Sequence, residues 1–227
     1  MIYDHTHPWY RAKWQYSGSN RWNGAWYYSH EIVKNIIPNI KTDRSWVTVN
    51  IPMENRVPQF DACAESHSIV FIHNNLHPEN YEWLSRYDDL ILVCGIPETM
   101  EKVEHLGRPI YLPLSVDVDD VKRYIRPKTK KTAFVGRESK QRGIEFDPDV
   151  DIIHGMPREL LLKTMAEYKS VYAVGRTAIE AKVLGCDILP YDDRFPDPGI
   201  WKVMDNIDAS AILQQELDKI DKEVKSV

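Results

Sequence analysis

Short apolar, β-branched runs recur along the chain, separated by polar stretches with helical spacing. In the first half, runs at 46–51, 68–73, 89–94 and 109–114 predict four strands. The segments 78–87 and 97–106, each opened by a proline or an acidic turn, predict helices between the later ones. Ahead of them, Trp26 to Ile37 carries helical spacing through Ile32, Val33, Ile36 and Ile37 and is expected to stop before Pro38. In the second half, strands are predicted at 132–135, 149–155, 171–174 and 187–192, and a proline-started helix at 157–168. A tight turn at Gly175, a helix of about two turns and a stop at Gly185 fill the gap before the last strand. The stretch 209–227 predicts a polar amphipathic helix with Ile212, Leu217 and Ile220 as its sparse apolar face, placed to pack back across a domain or to mediate pairing. Strands alternating with helices specify an α/β fold with parallel sheets.

Composition narrows this picture. A chain of 227 residues is one large domain or two small ones, and 43% hydrophobic with 11% aromatic residues supplies a core. The formal charge of −5 argues against a surface built throughout to grip nucleic acid, while leaving a local basic groove open. No apolar run has membrane-spanning length, and the first residues, Met1-Ile2-Tyr3-Asp4-His5, lack a leader's basic and apolar regions, so a cytoplasmic product is expected. Cys63, Cys94 and Cys186 have no CxxC spacing; neither a disulfide framework nor a zinc site is indicated, and Cys94 and Cys186 read as buried thiols. Lys122, Arg123, Arg126, Lys128, Lys130 and Lys131 form a basic run whose default meaning is a solvated hinge. It places a boundary near Pro127, giving domains 1–127 and 128–227.

Candidate chemistry concentrates in two glycine turns. Gly175 leads into Arg176-Thr177-Ala178-Ile179-Glu180, which presents helix-start amides and a dipole's positive end to an anion, with Glu180 close enough to take sugar hydroxyls. Thr177-x-x-Glu180 equally fits a capping box that binds nothing. The strand at 132–135 opens into Gly136-Arg137-Glu138-Ser139-Lys140-Gln141-Arg142-Gly143, where two guanidinium groups on a bare turn suit a diphosphate. His73 closes an apolar strand, as a structural hydrogen-bonder or as a group that orients a sugar or moves a proton. Trp9, Tyr10, Trp14, Tyr16, Trp22, Trp26 and Tyr27 crowd around the polar loop 16–25, either as a small aromatic core or as rings that stack on a sugar or base.

These two turns resemble the donor-binding motifs of GT-B glycosyltransferases of the retaining nucleotide-sugar group. Glu180-Ala181-Lys182-Val183-Leu184-Gly185-Cys186-Asp187-Ile188 follows the family's E-A-x-x-x-G pattern, whose glutamate contacts the donor ribose. Gly136, Arg137 and Gly143 match the family's G-R-x-x-x-x-K-G, with Arg142 in place of the lysine. The family's second glutamate, eight positions before the first, is here Tyr172. The segment 115–121 is similar to the family's interdomain linker.

The resemblance implies two Rossmann-like domains facing each other across a cleft. It implies a metal-independent hexosyltransferase that moves a sugar from a nucleotide-diphosphate sugar, its co-substrate, to an acceptor the sequence does not name, a glycan and a nucleic acid both being open, with no further cofactor. Arg137 and Arg142 would hold the diphosphate and stabilise the leaving group. Glu180 would take the ribose, Gly136, Arg176 and Thr177 would lie near phosphate, and Asn23, Gly24 and His73 would face the sugar and acceptor from the first domain. A non-catalytic nucleotide- or sugar-binding module on the same fold, or transfer to a nucleic-acid base, are the alternatives, and a homodimer is an open partner.

Overall fold

The computed structural model describes residues 31–49, 66–72, 82, 84–136, 148–191 and 195–225. They form an α/β protein with two four-stranded parallel sheets, one in each of two compact units. The described residues through Pro113 and the helix from Ile207 onward make the first unit; Leu114 to Asn206 is the core of the second. The chain thus passes between units at Pro113–Leu114, ahead of the basic run.

The first sheet contains β1 (Ser45–Val49), β2 (Ser68–Ile72), β3 (Ile91–Cys94) and β4 (Arg108–Tyr111), in that spatial order. All three pairings are parallel, with Ile69 opposite Ile91 and Val93 opposite Ile110. Strands added always on the same side place right-handed crossovers on one face, so the other face needs a different cover. The buried side chains divide accordingly. Val70, Ile72, Leu92 and Cys94 pack with Leu84, Leu90, Val103 and Leu106, under helix α1 (Pro97–Val103). Ile69, Phe71, Ile91, Val93 and Ile110 point the opposite way by the period-2 alternation and are buried too. Trp46 stacks on Phe71 at 5.9 Å.

Helix α5 (Asn206–Lys225) covers that second face, because Arg108, which shares it through its register with Ile91, is paired with Glu223 at 3.0 Å. Its buried stripe is Ala209, Ser210, Leu213, Leu217 and Ile220, at the spacing of one helical face. Leu213 therefore replaces Ile212, which lies at the stripe's edge. Gln214 accepts from the Lys41 amide at 2.6 Å and donates to its carbonyl at 3.2 Å. The Ser210 hydroxyl reaches the Ile36 carbonyl at 3.5 Å. The predicted first helix is described from Glu31: a wide turn at Ile32–Ile36, closed by Ile37 N–H to the Ile32 carbonyl, then a tight turn at Ile37–Asn39. The wide-turn helix ends at Ile36, ahead of Pro38 as expected, and Pro38 sits at the start of the tight turn, where its missing N–H costs nothing.

Two residues with left-handed backbones, His67 (φ 64°) and Asp89 (φ 52°), precede β2 and β3. His67 Nδ1 lies 2.6 Å from Asp89, and the buried Arg44 donates to the Asp89 carbonyl at 2.9 Å and pairs with its carboxylate at 3.1 Å. Burial works to raise the Asp89 carboxyl, but its bonds to His67 and Arg44 outweigh that and hold it below the usual carboxylate range. A folded-state value below the unfolded one gives stability that is present above the ordinary carboxylate pKa and lost as pH falls through the lowered value. Asp89→Asn, which tolerates the same backbone, is expected to flatten the fall of the urea midpoint between about pH 5 and pH 2. An unchanged slope would show that this carboxylate is not coupled to folding.

The second sheet holds β5 (Lys130–Val135), β6 (Asp151–Ile153), β7 (Tyr168–Tyr172) and β8 (Asp187–Leu189), all parallel, in the order β6-β5-β7-β8. Its helices are α2 (Val118–Lys122), α3 (Arg158–Met165) and α4 (Arg176–Val183). Asp117 caps α2 by accepting from the Asp120 amide at 2.8 Å. The helix expected over 157–168 ends at Met165, and Tyr168, expected in it, begins β7. The unit's entry and exit are tied where Val116 bridges Asp205 and the Ser115 hydroxyl donates to Asn206 Oδ1 at 2.8 Å. Ala133, Phe134, Val135, Ile153 and Val171 form the core of this sheet.

Candidate functional site at the carboxyl ends of the second sheet

The order β6-β5-β7-β8 means that the chain leaves β5 toward one side, then returns past it to build β7 and β8 on the other. Ligands of open parallel sheets bind beyond the carboxyl ends where such a reversal occurs. Here that point lies between β5 and β7, and each strand ends in a glycine turn: Gly136 directly after β5, Gly175 three residues after β7. The pairing of Phe134 with Tyr172 brings the two turns to neighbouring positions on one edge of the sheet.

Gly136 cannot carry a side chain there. A carbon on its Cα would lie 2.7 Å from the Tyr191 hydroxyl and 3.0 Å from the Phe134 ring. The hydroxyl is fixed by donating to the Val135 carbonyl at 2.6 Å, and burial pushes the Tyr191 phenol well above its ordinary pKa, so it stays a donor. Tyr191 packs against Phe134 at 4.8 Å and meets Phe195 edge-on at 4.9 Å.

Gly175 has φ 61° and ψ −140°, a conformation reserved for glycine, and its carbonyl takes the Ala178 and Ile179 amides at 3.0 and 3.3 Å to start α4. The cap residue, Gly175, has no side chain with which to cap this end. The capping-box alternative does not apply: the cap residue is Gly175, Thr177 is the second residue of the helix, and the Glu180 carboxylate is engaged elsewhere. The stop at Gly185 is as expected. Gly185 N–H bonds to the Lys182 carbonyl and Cys186 N–H to that of Ala181, both at 2.9 Å, around a left-handed Gly185 (φ 79°).

Glu180 is 4% exposed, and its Oε1 is shared by two guanidinium groups, Arg158 Nε at 3.1 Å and Arg176 at 3.0 Å. Arg158 also donates to Asp120 at 2.8 Å, so one network ties α2, α3 and α4 together. Arg158 was not singled out from the sequence. The available signal was that Arg158 and Arg176 both open helices, where a cation opposes the dipole and calls for a carboxylate.

The basic run is largely exposed, as expected of a solvated stretch, but most of its cations have partners in the second unit. Lys122 pairs with Asp119, Arg123 with Asp120, and both Arg126 and Lys130 with Glu167, while Lys128 donates to the Leu184 carbonyl and to Cys186. These contacts wire it into the second unit.

Gly136, Arg176, Thr177 and Glu180 thus lie together at one end of the second unit. Asn23, Gly24, His73, Arg137 and Arg142, as well as the aromatic segment and its loop, lie outside the described residues; in sequence, His73 follows the last residue of β2 and Arg137 follows Gly136. Cys94 and Cys186 are buried thiols. Among the described residues no group of three His, Cys, Asp or Glu side chains could hold a metal, and no helix is long and apolar enough to cross a membrane. No family model, curated protein or solved structure matches the chain.

Proposed function

We infer that the chain is a compact GT-B-type glycosyltransferase whose second unit holds a nucleotide-diphosphate sugar and passes the sugar to a separate acceptor. The observation that carries this is the pair of glycine turns, Gly136 and Gly175, at the strand-order reversal, with the start of α4 beside them. Helix-start amides suit a diphosphate, which needs the positive ends of dipoles. Arg137 and Arg142, next along the chain from Gly136, supply the cations that take up charge on the departing nucleoside diphosphate, with no metal needed for that step. Glu180 is neutralised by Arg158 and Arg176, so in this scheme it fixes Arg176 at the helix start before it meets any ribose.

A nucleoside diphosphate matching the donor is expected to raise the melting temperature in a dose-dependent way, and Arg137→Ala to abolish that shift. Failure of every nucleoside diphosphate and nucleotide sugar to move the melting temperature would overturn the assignment. A binding module on the same fold is favoured by one feature: Tyr172 ends β7 where the resemblance expects a glutamate near the transferred sugar. Slow hydrolysis of the bound nucleotide sugar separates the two, since a pure binder leaves it intact.

A further inference from the structure

At the opposite, amino-terminal end of the second sheet, Lys128 Nζ lies 3.1 Å from Cys186 Sγ. We propose that these two side chains form an oxidant-triggered covalent crosslink, a sulfenamide, which makes Cys186 a redox modification site of the protein. Three features of the geometry support this. The amine is held in place, because Nζ also donates to the Leu184 carbonyl at 2.8 Å, and the thiol is held because it donates to the Met165 carbonyl at 3.5 Å. The sulfur is buried, so once oxidised it is shielded from bulky external thiols, and the nearest nucleophile is the lysine nitrogen. Reaction between groups fixed at contact distance gains the advantage of an intramolecular step. Cys94 offers an internal comparison: burial raises both thiols, but at Cys186 the Lys128 bond works against that rise, whereas the Cys94 sulfur contacts the Leu92 carbonyl instead of an amine.

The chemistry balances with hydrogen peroxide as the oxidant. The Cys186 sulfur attacks one peroxide oxygen, the O–O bond breaks, and water and a sulfenic acid result; sulfur is oxidised by two electrons and peroxide reduced. Lys128, after releasing its ammonium proton to solvent, attacks that sulfur. The S–O bond breaks, the departing hydroxide takes a second proton from nitrogen and leaves as water, and an S–N bond remains. The link joins the start of β5 to the start of β8, at the C-terminal end of α4, the helix whose other end carries the candidate anion site.

The test exposes the folded full chain to hydrogen peroxide, blocks remaining thiols in denaturant, and digests at glutamates for mass spectrometry. The expected product is a joined peptide pair containing Lys128 and Cys186, lighter by two hydrogens than the two peptides together. Dithiothreitol should release it, and Lys128→Arg and Cys186→Ser should abolish it. Lys128→Arg keeps a cation at the Leu184 carbonyl, so its loss of product is not a loss of fold; an unchanged melting temperature before oxidation verifies that. Cys186 recovered as an alkylated thiol, a sulfinic acid or a disulfide, with Lys128 unmodified, would overturn the proposal, as would the same product from Lys128→Arg.

Discussion

Replacing Glu180 with alanine is expected to destabilise the second unit by about 3–5 kcal/mol, the cost typical of removing one partner from a buried ion pair. Arg158 would retain Asp120, but Arg176, 7% exposed at the start of α4, would lose the carboxylate that offsets its position against the helix dipole. Urea unfolding followed by circular dichroism reads this directly. Glu180→Gln keeps the shape and a hydrogen-bonding oxygen and should fall between the two. If Glu180 served only as a ligand contact, Glu180→Ala would change stability by less than about 1 kcal/mol, as surface substitutions do, and the account of the three-helix network would be wrong.

Ending the chain at Asn206 is expected to unfold the first unit while sparing the second. The lost segment carries Leu213, Leu217 and Ile220 in the buried stripe of the helix that packs on the first unit. Burial of each such side chain is worth roughly 1.5–3 kcal/mol. Together they approach the whole stability of a typical domain, about 5–15 kcal/mol, and the exposed faces of Phe71, Ile91 and Val93 add to the loss. Hydrogen exchange should show β2 and β3 amides losing protection in the truncated chain while β5 and β7 keep theirs. Protected β2 and β3 amides would mean that α5 is not the cover of that sheet.

The sequence made the centres of the two parallel sheets legible because β2, β3 and the end of β5 are short apolar runs buried on both faces. Runs such as 68–73 and 132–135 leave little else for the backbone to do. Boundaries were less legible where helix and strand share residues: Tyr168 continues the periodicity of α3 but starts β7, since pairing with Lys130 of β5 outweighs helix propensity. Leu213 was passed over for Ile212 because α5 is polar on most of its surface, and a shift of one position along a helix turns the face by about 100°. The two glycine turns were readable because only glycine satisfies the close approach at Gly136 and the backbone at Gly175. The partners of Glu180 were not. Arg158 lies 22 residues away on another helix, and only the three-dimensional packing of α3 on α4 joins them. The same holds for Arg126 in the basic run, whose counter-ion Glu167 lies 41 residues away.

The central claim is that Gly136 and the start of α4 form one anion-binding edge. Its most direct test is a titration of the isotope-labelled chain with a nucleoside diphosphate, followed by amide chemical shifts. Saturable shifts at Gly136, Gly175, Arg176 and Thr177, sharing one dissociation constant, are the expected result. Shifts confined to other parts of the chain, or none at these four amides at saturating ligand, would contradict it.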